Sequence, residues 1–251
     1  MKKLIILLTT CLVIVSCDSD LNDSPSNGVL SGSYANMLIL DNFLYMINER
    51  ELIAYSLEDP STPLEVHKEE LGFGIESMFI RGEVLFIGSA STLYIYQIGL
   101  DGVPSLISTT AYQNFRDMCM RDPVVANEST AYVTLSTTVS SDCLRSDVNE
   151  LRLYDIMDLS SPILVNSLEM NEPKGLGLDG DWLFVCEAND GLKVVDVSDP
   201  LDLKLVKHFD GYRAFDVIPR SGHLLVVGPD SLYQYNYSDR NDIYLLSAID
   251  L

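Results

Sequence analysis

The chain has 251 residues, of which 37 are acidic and 16 basic, giving a formal charge of −21 at neutral pH. A surface this acidic repels nucleic acid and anionic head groups, which removes nucleic-acid roles from consideration. The three histidines, His67, His208 and His223, stand far apart without ligand spacing, so neither a metal site nor a cofactor is expected.

Residues 1–16 read as a signal peptide. Lys2-Lys3 form a positive start, and Leu4 to Val15 is an apolar stretch too short to span a bilayer comfortably. It ends in Ile14-Val15-Ser16-Cys17, which resembles the lipobox of bacterial lipoproteins, so Cys17 is the expected lipidated N-terminus of the mature chain. Residues 17–33 follow as an acidic, polar tether with little to bury. The expected address is therefore the cell envelope, with the chain held to the outer membrane through lipid alone.

From residue 34 to 251 one short text returns five times: two apolar, aromatic-rich runs split by turn residues. The copies include Leu44-Tyr45-Met46-Ile47 with Leu52-Ile53-Ala54-Tyr55, and Leu183-Phe184-Val185-Cys186 with Leu192-Lys193-Val194-Val195. A further run follows each pair, and first strands are expected near Asn36, Ser77, Asp117, Gly175 and Asp216, giving steps of 41, 40, 58 and 41 residues. Repeats of that length in strand text predict an all-β chain, a five-bladed β-propeller with four antiparallel strands per blade. The inner runs are apolar on both faces, as blades packed between two neighbours require. Fourth runs such as Glu65-Val66-His67-Lys68-Glu69 are charged, which suits an exposed edge. Trp182 is expected in the core between blades, and Gly175 to Gly180 in strand packing and a turn.

The long step has a local cause, a Ser/Thr/Asp-rich insertion at 136–150 between the second and third strands of blade three. It carries Cys143, and Cys119 is expected early on the first strand of the same blade. An exported chain permits a disulfide between Cys119 and Cys143, leaving Cys186 as a buried free thiol.

The text Leu192-Lys193-Val194-Val195-Asp196-Val197-Ser198-Asp199-Pro200 followed by Leu205-Val206-Lys207, with its echo at Leu151 to Val165, resembles the LVIVP-repeat β-propeller lipoproteins common in Bacteroidetes. Asp59-Pro60 of blade one keeps the Asp-Pro dipeptide, whereas Gly102-Val103-Pro104 and Asp239-Arg240-Asn241 depart from the Asp-Pro turn text in blades two and five. The resemblance implies a fold and an envelope address but brings no activity, so no functional residue is carried over from it.

In a propeller the first strands begin on the face that also holds the 4→1 connections and the 2–3 hairpins. Glu76, Arg116, Asp117, Lys174, Arg213 and Asp216 fall there and form the expected binding ring. No catalytic residue is expected, and the chain reads as a monomeric binding or scaffold module for a small molecule, a glycan or an envelope protein. Two alternatives follow from the same ring. Glu76, Asp117 and Asp216 could serve a glycoside hydrolase, which needs two carboxylates at a set separation. Otherwise the acidic rim could dock other envelope lipoproteins in a purely structural role.

Overall fold

The computed structural model describes residues 34–112, 120–121, 123–137 and 148–251. Among the described residues every regular element is a strand. Blade one holds β1 (Met37–Leu40), β2 (Phe43–Ile47), β3 (Glu51–Ser56) and β4 (Leu64–Glu70); blade two holds β5 (Ile75–Arg81), β6 (Val84–Ser89), β7 (Thr92–Ile98) and β8 (Pro104–Ala111). Blade three is β10 (Val124–Ala126), β11 (Thr130–Thr137), β12 (Asn149–Asp155) and β13 (Ile163–Glu169), with the short β9 (Met120–Arg121) beside it. Blade four is β14 (Pro173–Asp179), β15 (Trp182–Glu187), β16 (Gly191–Asp196) and β17 (Lys204–Phe209); blade five is β18 (Asp216–Arg220), β19 (His223–Val227), β20 (Ser231–Asn236) and β21 (Tyr244–Asp250). Within each sheet the strands lie in chain order and pair antiparallel, and the fold is a five-bladed β-propeller.

Local chemistry repeats from blade to blade. The link between third and fourth strands carries an aspartate whose Oδ1 accepts a backbone N–H two residues on: Ser61 to Asp59, Val103 to Asp101, Ser160 to Asp158, Leu201 to Asp199 and Asn241 to Asp239, at 2.9–3.1 Å. This Asx turn survives in the blades whose turn text departs from Asp-Pro, because the carboxylate and not the proline closes it. All five blades also share one irregularity, a register shift between the third and fourth strands, at Ala54/Tyr55, Ile95/Tyr96, Leu153/Tyr154, Val194/Val195 and Gln234/Tyr235. A bulge at the same place bends each outer strand in the same sense.

Blade three departs from the sequence expectation. Asp117, where its first strand was expected to start, lies outside the described residues, and the inner pairing of β11 is shared between two short pieces. Val124 to Ala126 face one half, and Met120 and Arg121 face Thr137 and Ser136 at the other. Pro123 sits at the break, where it offers no N–H to the ladder, although its carbonyl accepts from Thr134 at 3.2 Å. Cys17, Arg116, Asp117, Cys119 and Cys143 lie outside the described residues, and so does most of the 136–150 insertion.

The core lies between blades. Among the described residues, four apolar clusters join blades one to two, two to three, three to four and four to five. Hence β6 and β15 are buried on both faces, whereas β2 and β19 bury alternate residues. The outward faces of blades one and five are half covered, leaving Met37 63% and Ile39 54% exposed. Trp182 and Cys186 belong to the cluster between blades four and five. Burial, and next the charge of Asp216, push the Cys186 thiol well up. Inner strands approach most closely between blades four and five. A Cβ at Gly177 would stand 2.5 Å from Pro219 Cδ, and one at Gly175 would meet Asp216.

Tyrosine hydroxyls tie blades across the packed layers. Tyr45 donates to the Gly102 carbonyl at 3.0 Å, Tyr96 to Glu69 at 3.1 Å and Tyr237 to Asp179 at 2.7 Å. Burial is the leading cause that raises all three, taking Tyr45 to about 12, so each remains a neutral donor.

Candidate functional site

Backbone hydrogen bonds define the mouth. The 4→1 connections meet the 2–3 hairpins there: Leu71 N–H bonds Arg50 O, Ile75 N–H bonds Glu49 O, Ala188 N–H bonds Glu172 O and Ala214 N–H bonds Glu187 O. Both kinds of connection therefore share one face, which the alternation of strand direction in four-stranded blades requires.

Four of the six sequence-predicted ring residues lie among the described residues. On β14, Lys174 is largely buried, with Nζ 3.0 Å from Glu172 Oε1 and 3.5 Å from Ser136 Oγ, while its carbonyl accepts from Thr134 Oγ1 at 2.6 Å. Arg213, in the connection before β18, donates Nε–H to the Ala188 carbonyl at 3.2 Å and lies over the Phe215 ring at 5.2 Å. Asp216 opens β18, and its Oδ1 accepts the Val217 N–H at 2.9 Å where Gly175 leaves room for it. These three gather where blades four and five meet. Glu76 sits apart, between blades one and two, in a cavity of about 530 Å³ shared with Asn36 and Glu49. Arg116 and Asp117 lie outside the described residues.

The sequence reading missed a charged cluster beneath the same rim. Glu187, at the end of β15, has 0% side-chain exposure; its carboxylate takes Lys193 Nζ at 2.5 Å through Oε2 and the Asn171 N–H at 2.8 Å through Oε1. Lys193 also lies 3.4 Å from Asp190 Oδ2, and His208 Nε2 stands 2.6 Å from the Asp190 carbonyl. Charges this deep persist when paired and hydrogen-bonded. The available signal was a lone lysine inside Leu192-Lys193-Val194-Val195, opposite the end of a strand whose last residue is acidic. The cluster pins the Asn189–Gly191 hairpin against the connection that precedes β14. Among the described residues no group of three or more His, Cys, Asp or Glu is placed to hold a metal ion.

Fold and mouth together define a repeat β-propeller. Residues 174–211, which run from within β14 to just past β17, match the LVIVD repeat family. The match falls on the blade whose text carries the sequence resemblance, under an LVIVD consensus instead of LVIVP. A search of curated proteins finds no match. Solved structures resemble the chain at low identity. A protein from Lactobacillus plantarum is 15% identical over 82% of this chain and 67% of that one, with a TM-score of 0.61. AztD from Citrobacter koseri is 13% identical over 87% and 61%, with a TM-score of 0.57. A complex of KlAtg21 with the coiled coil of AgAtg16 contains a chain 13% identical over 79% and 64%, with a TM-score of 0.59. At these identities the likeness is one of fold.

Proposed function

We propose that this protein is an exported, lipid-anchored β-propeller that acts as a binding or scaffold module of the cell envelope and catalyses no reaction. The observation that carries the reading is the division of labour in the fold. The apolar text is spent on packing blade against blade, the outer Asx turns on closing their own backbone, and the polar groups left to meet other molecules converge on the mouth. There Lys174 and Arg213 are held by neighbouring acids and carbonyls, which makes a rigid rim suited to recognition. The KlAtg21 chain, similar in fold, was solved with a coiled-coil partner, which supports a protein-binding use of such a scaffold. Anchoring at Cys17 rests on the lipobox text and the polar stretch after it.

The test is in-cell cross-linking followed by affinity capture, comparing the native chain with Arg213→Ala and Lys174→Ala, and with Asp59→Ala and Asp199→Ala on the opposite face. Loss of the captured partner with the first pair and retention with the second is expected; the reverse pattern would place the contact surface elsewhere. Mass spectrometry of the membrane fraction should find a lipidated N-terminal Cys17, and an unlipidated mature N-terminus would remove the anchor.

A further inference from the structure

Among the described residues, most of the exposed large apolar side chains lie on one rim. They sit on the links between third and fourth strands or in the first three positions of the fourth strands. Strand direction alternates within each blade, so this rim belongs to the face opposite the mouth. In blades two, three and four, which are consecutive, each link carries an aliphatic tip: Leu100 is 98% exposed, Met157 76% and Leu201 73%. Behind the tips the fourth strands open with Leu106, Ile163 and Leu205, also exposed. A single bare leucine is ordinary, but bare tips on three consecutive blades, all on one rim, form a surface.

The links hold these tips in place. Asp101, Asp158 and Asp199 close them by accepting the N–H of Val103, Ser160 and Leu201 at 2.9–3.1 Å, so little backbone freedom is lost when a tip is buried. The charged residues on the three links are Asp101, Asp158, Asp199 and Asp202, all acidic, and they oppose an anionic surface. Acidic turns also separate the tips from one another. A stable protein interface needs a contiguous apolar centre, whereas a bilayer takes in separate apolar tips, with a strength that follows the area buried.

We propose that the rim of blades two to four rests on a zwitterionic bilayer surface, with Leu100, Met157 and Leu201 inserted among the lipids and the mouth turned away from the membrane. The proposal rests on the lipid-anchored reading and adds an orientation to it. The length of chain before the propeller permits this pose. Residues 17–33 reach at most about 60 Å when extended. A seven-residue strand is about 23 Å long, so an anchor joined to the mouth-side start of β1 still reaches the plane of the opposite rim. Because the anchor keeps the chain at the surface, rim contact is effectively intramolecular, and three tips too weak to hold a free chain suffice to orient a tethered one. The mouth then faces the space from which a partner arrives.

The experiment places the full chain in phosphatidylcholine vesicles with and without bromine on the acyl chains and reads tryptophan fluorescence. In a Trp182→Phe background, Leu201→Trp and Met157→Trp should be quenched by the brominated lipid, and Phe73→Trp, exposed on the mouth side, should not. Hydrogen exchange of the native chain needs no substitution: residues 99–103 and 156–162 should exchange more slowly on vesicles than in the Cys17→Ser chain free in solution. Leu100→Asp, Met157→Asp and Leu201→Asp combined should abolish that slowing while the anchor keeps the chain on the vesicles. Quenching at Phe73→Trp instead of at the rim reverses the orientation and overturns the proposal, as does quenching at neither. Dimers of the Cys17→Ser chain in light scattering that the triple variant dissolves would give the rim to a second copy. If Cys17 proves unlipidated the anchor falls, and the rim is judged by the same quenching with the chain held to the vesicles by an N-terminal histidine tag. A lipidated Cys17 with an unquenched rim sinks the orientation alone and leaves the module reading standing.

Discussion

Replacing Lys193 by methionine keeps the stem and removes the charge that Glu187 faces. Glu187 is fully buried, and Lys193 Nζ is the cation within ion-pair distance of it among the described residues. Without that partner, a carboxylate shielded from water keeps one backbone donor, Asn171 N–H, and breaking a buried pair in this way costs about 3–5 kcal/mol. For a domain of this size that lowers Tm by roughly 6–20 °C. The converse change, Glu187→Gln, is milder, at about 1–2 kcal/mol. Gln retains an oxygen for Asn171, and Lys193, 19% exposed, still has Asp190 at 3.4 Å. Urea unfolding followed by tyrosine fluorescence measures both. A deficit within about 0.5 kcal/mol, the range of ordinary surface changes, would refute the reasoning. An equal deficit in Lys193→Met and Glu187→Gln would assign the loss to packing.

Other outcomes follow from the same geometry. Gly177→Ala pushes a methyl into Pro219 between the inner strands of blades four and five and should destabilise by about 1–3 kcal/mol in urea titrations, with no change in strand content by circular dichroism. Hydrogen bonds to Ser61, Ser160 and Ser198 hold the carboxyls of Asp59, Asp158 and Asp196 below their usual range. Groups lowered in the folded state stabilise it above the unfolded value, about 3.9. That contribution is lost as pH falls through their folded values, so stability should drop below about pH 4; a pH titration of the urea midpoint that is flat from pH 5 to 3 would contradict this. Amide hydrogen exchange should be slowest in β6 and β15, buried on both faces, and faster in β2 and β19, whose outward faces are half covered. Equal protection in all four strands would mean that the faces of blades one and five are covered in solution.

The sequence by itself determined the repeat and hence the architecture. A strand buried on both faces must be apolar at every position, so Leu183-Phe184-Val185-Cys186 announces a blade with two neighbours, and an aspartate after the third strand closes the outer turn by bonding its own backbone. These are local rules. They placed Leu183 to Cys186 within β15 and Leu205 to Lys207 within β17, set Trp182 in the core between blades and buried Cys186. What only the tertiary structure decided depends on residues distant in the chain. The break in the inner strand of blade three follows from Pro123 meeting a long β11 that pairs with two pieces at once, which no window of sequence displays. The division of the mouth, with Lys174, Arg213 and Asp216 at blades four and five and Glu76 at blades one and two, depends on which connections the closing hydrogen bonds bring together. Glu187 was an unremarkable acid at a strand end until the fold buried it against Lys193. A charge declares itself in a sequence, but its desolvation is set by everything packed around it.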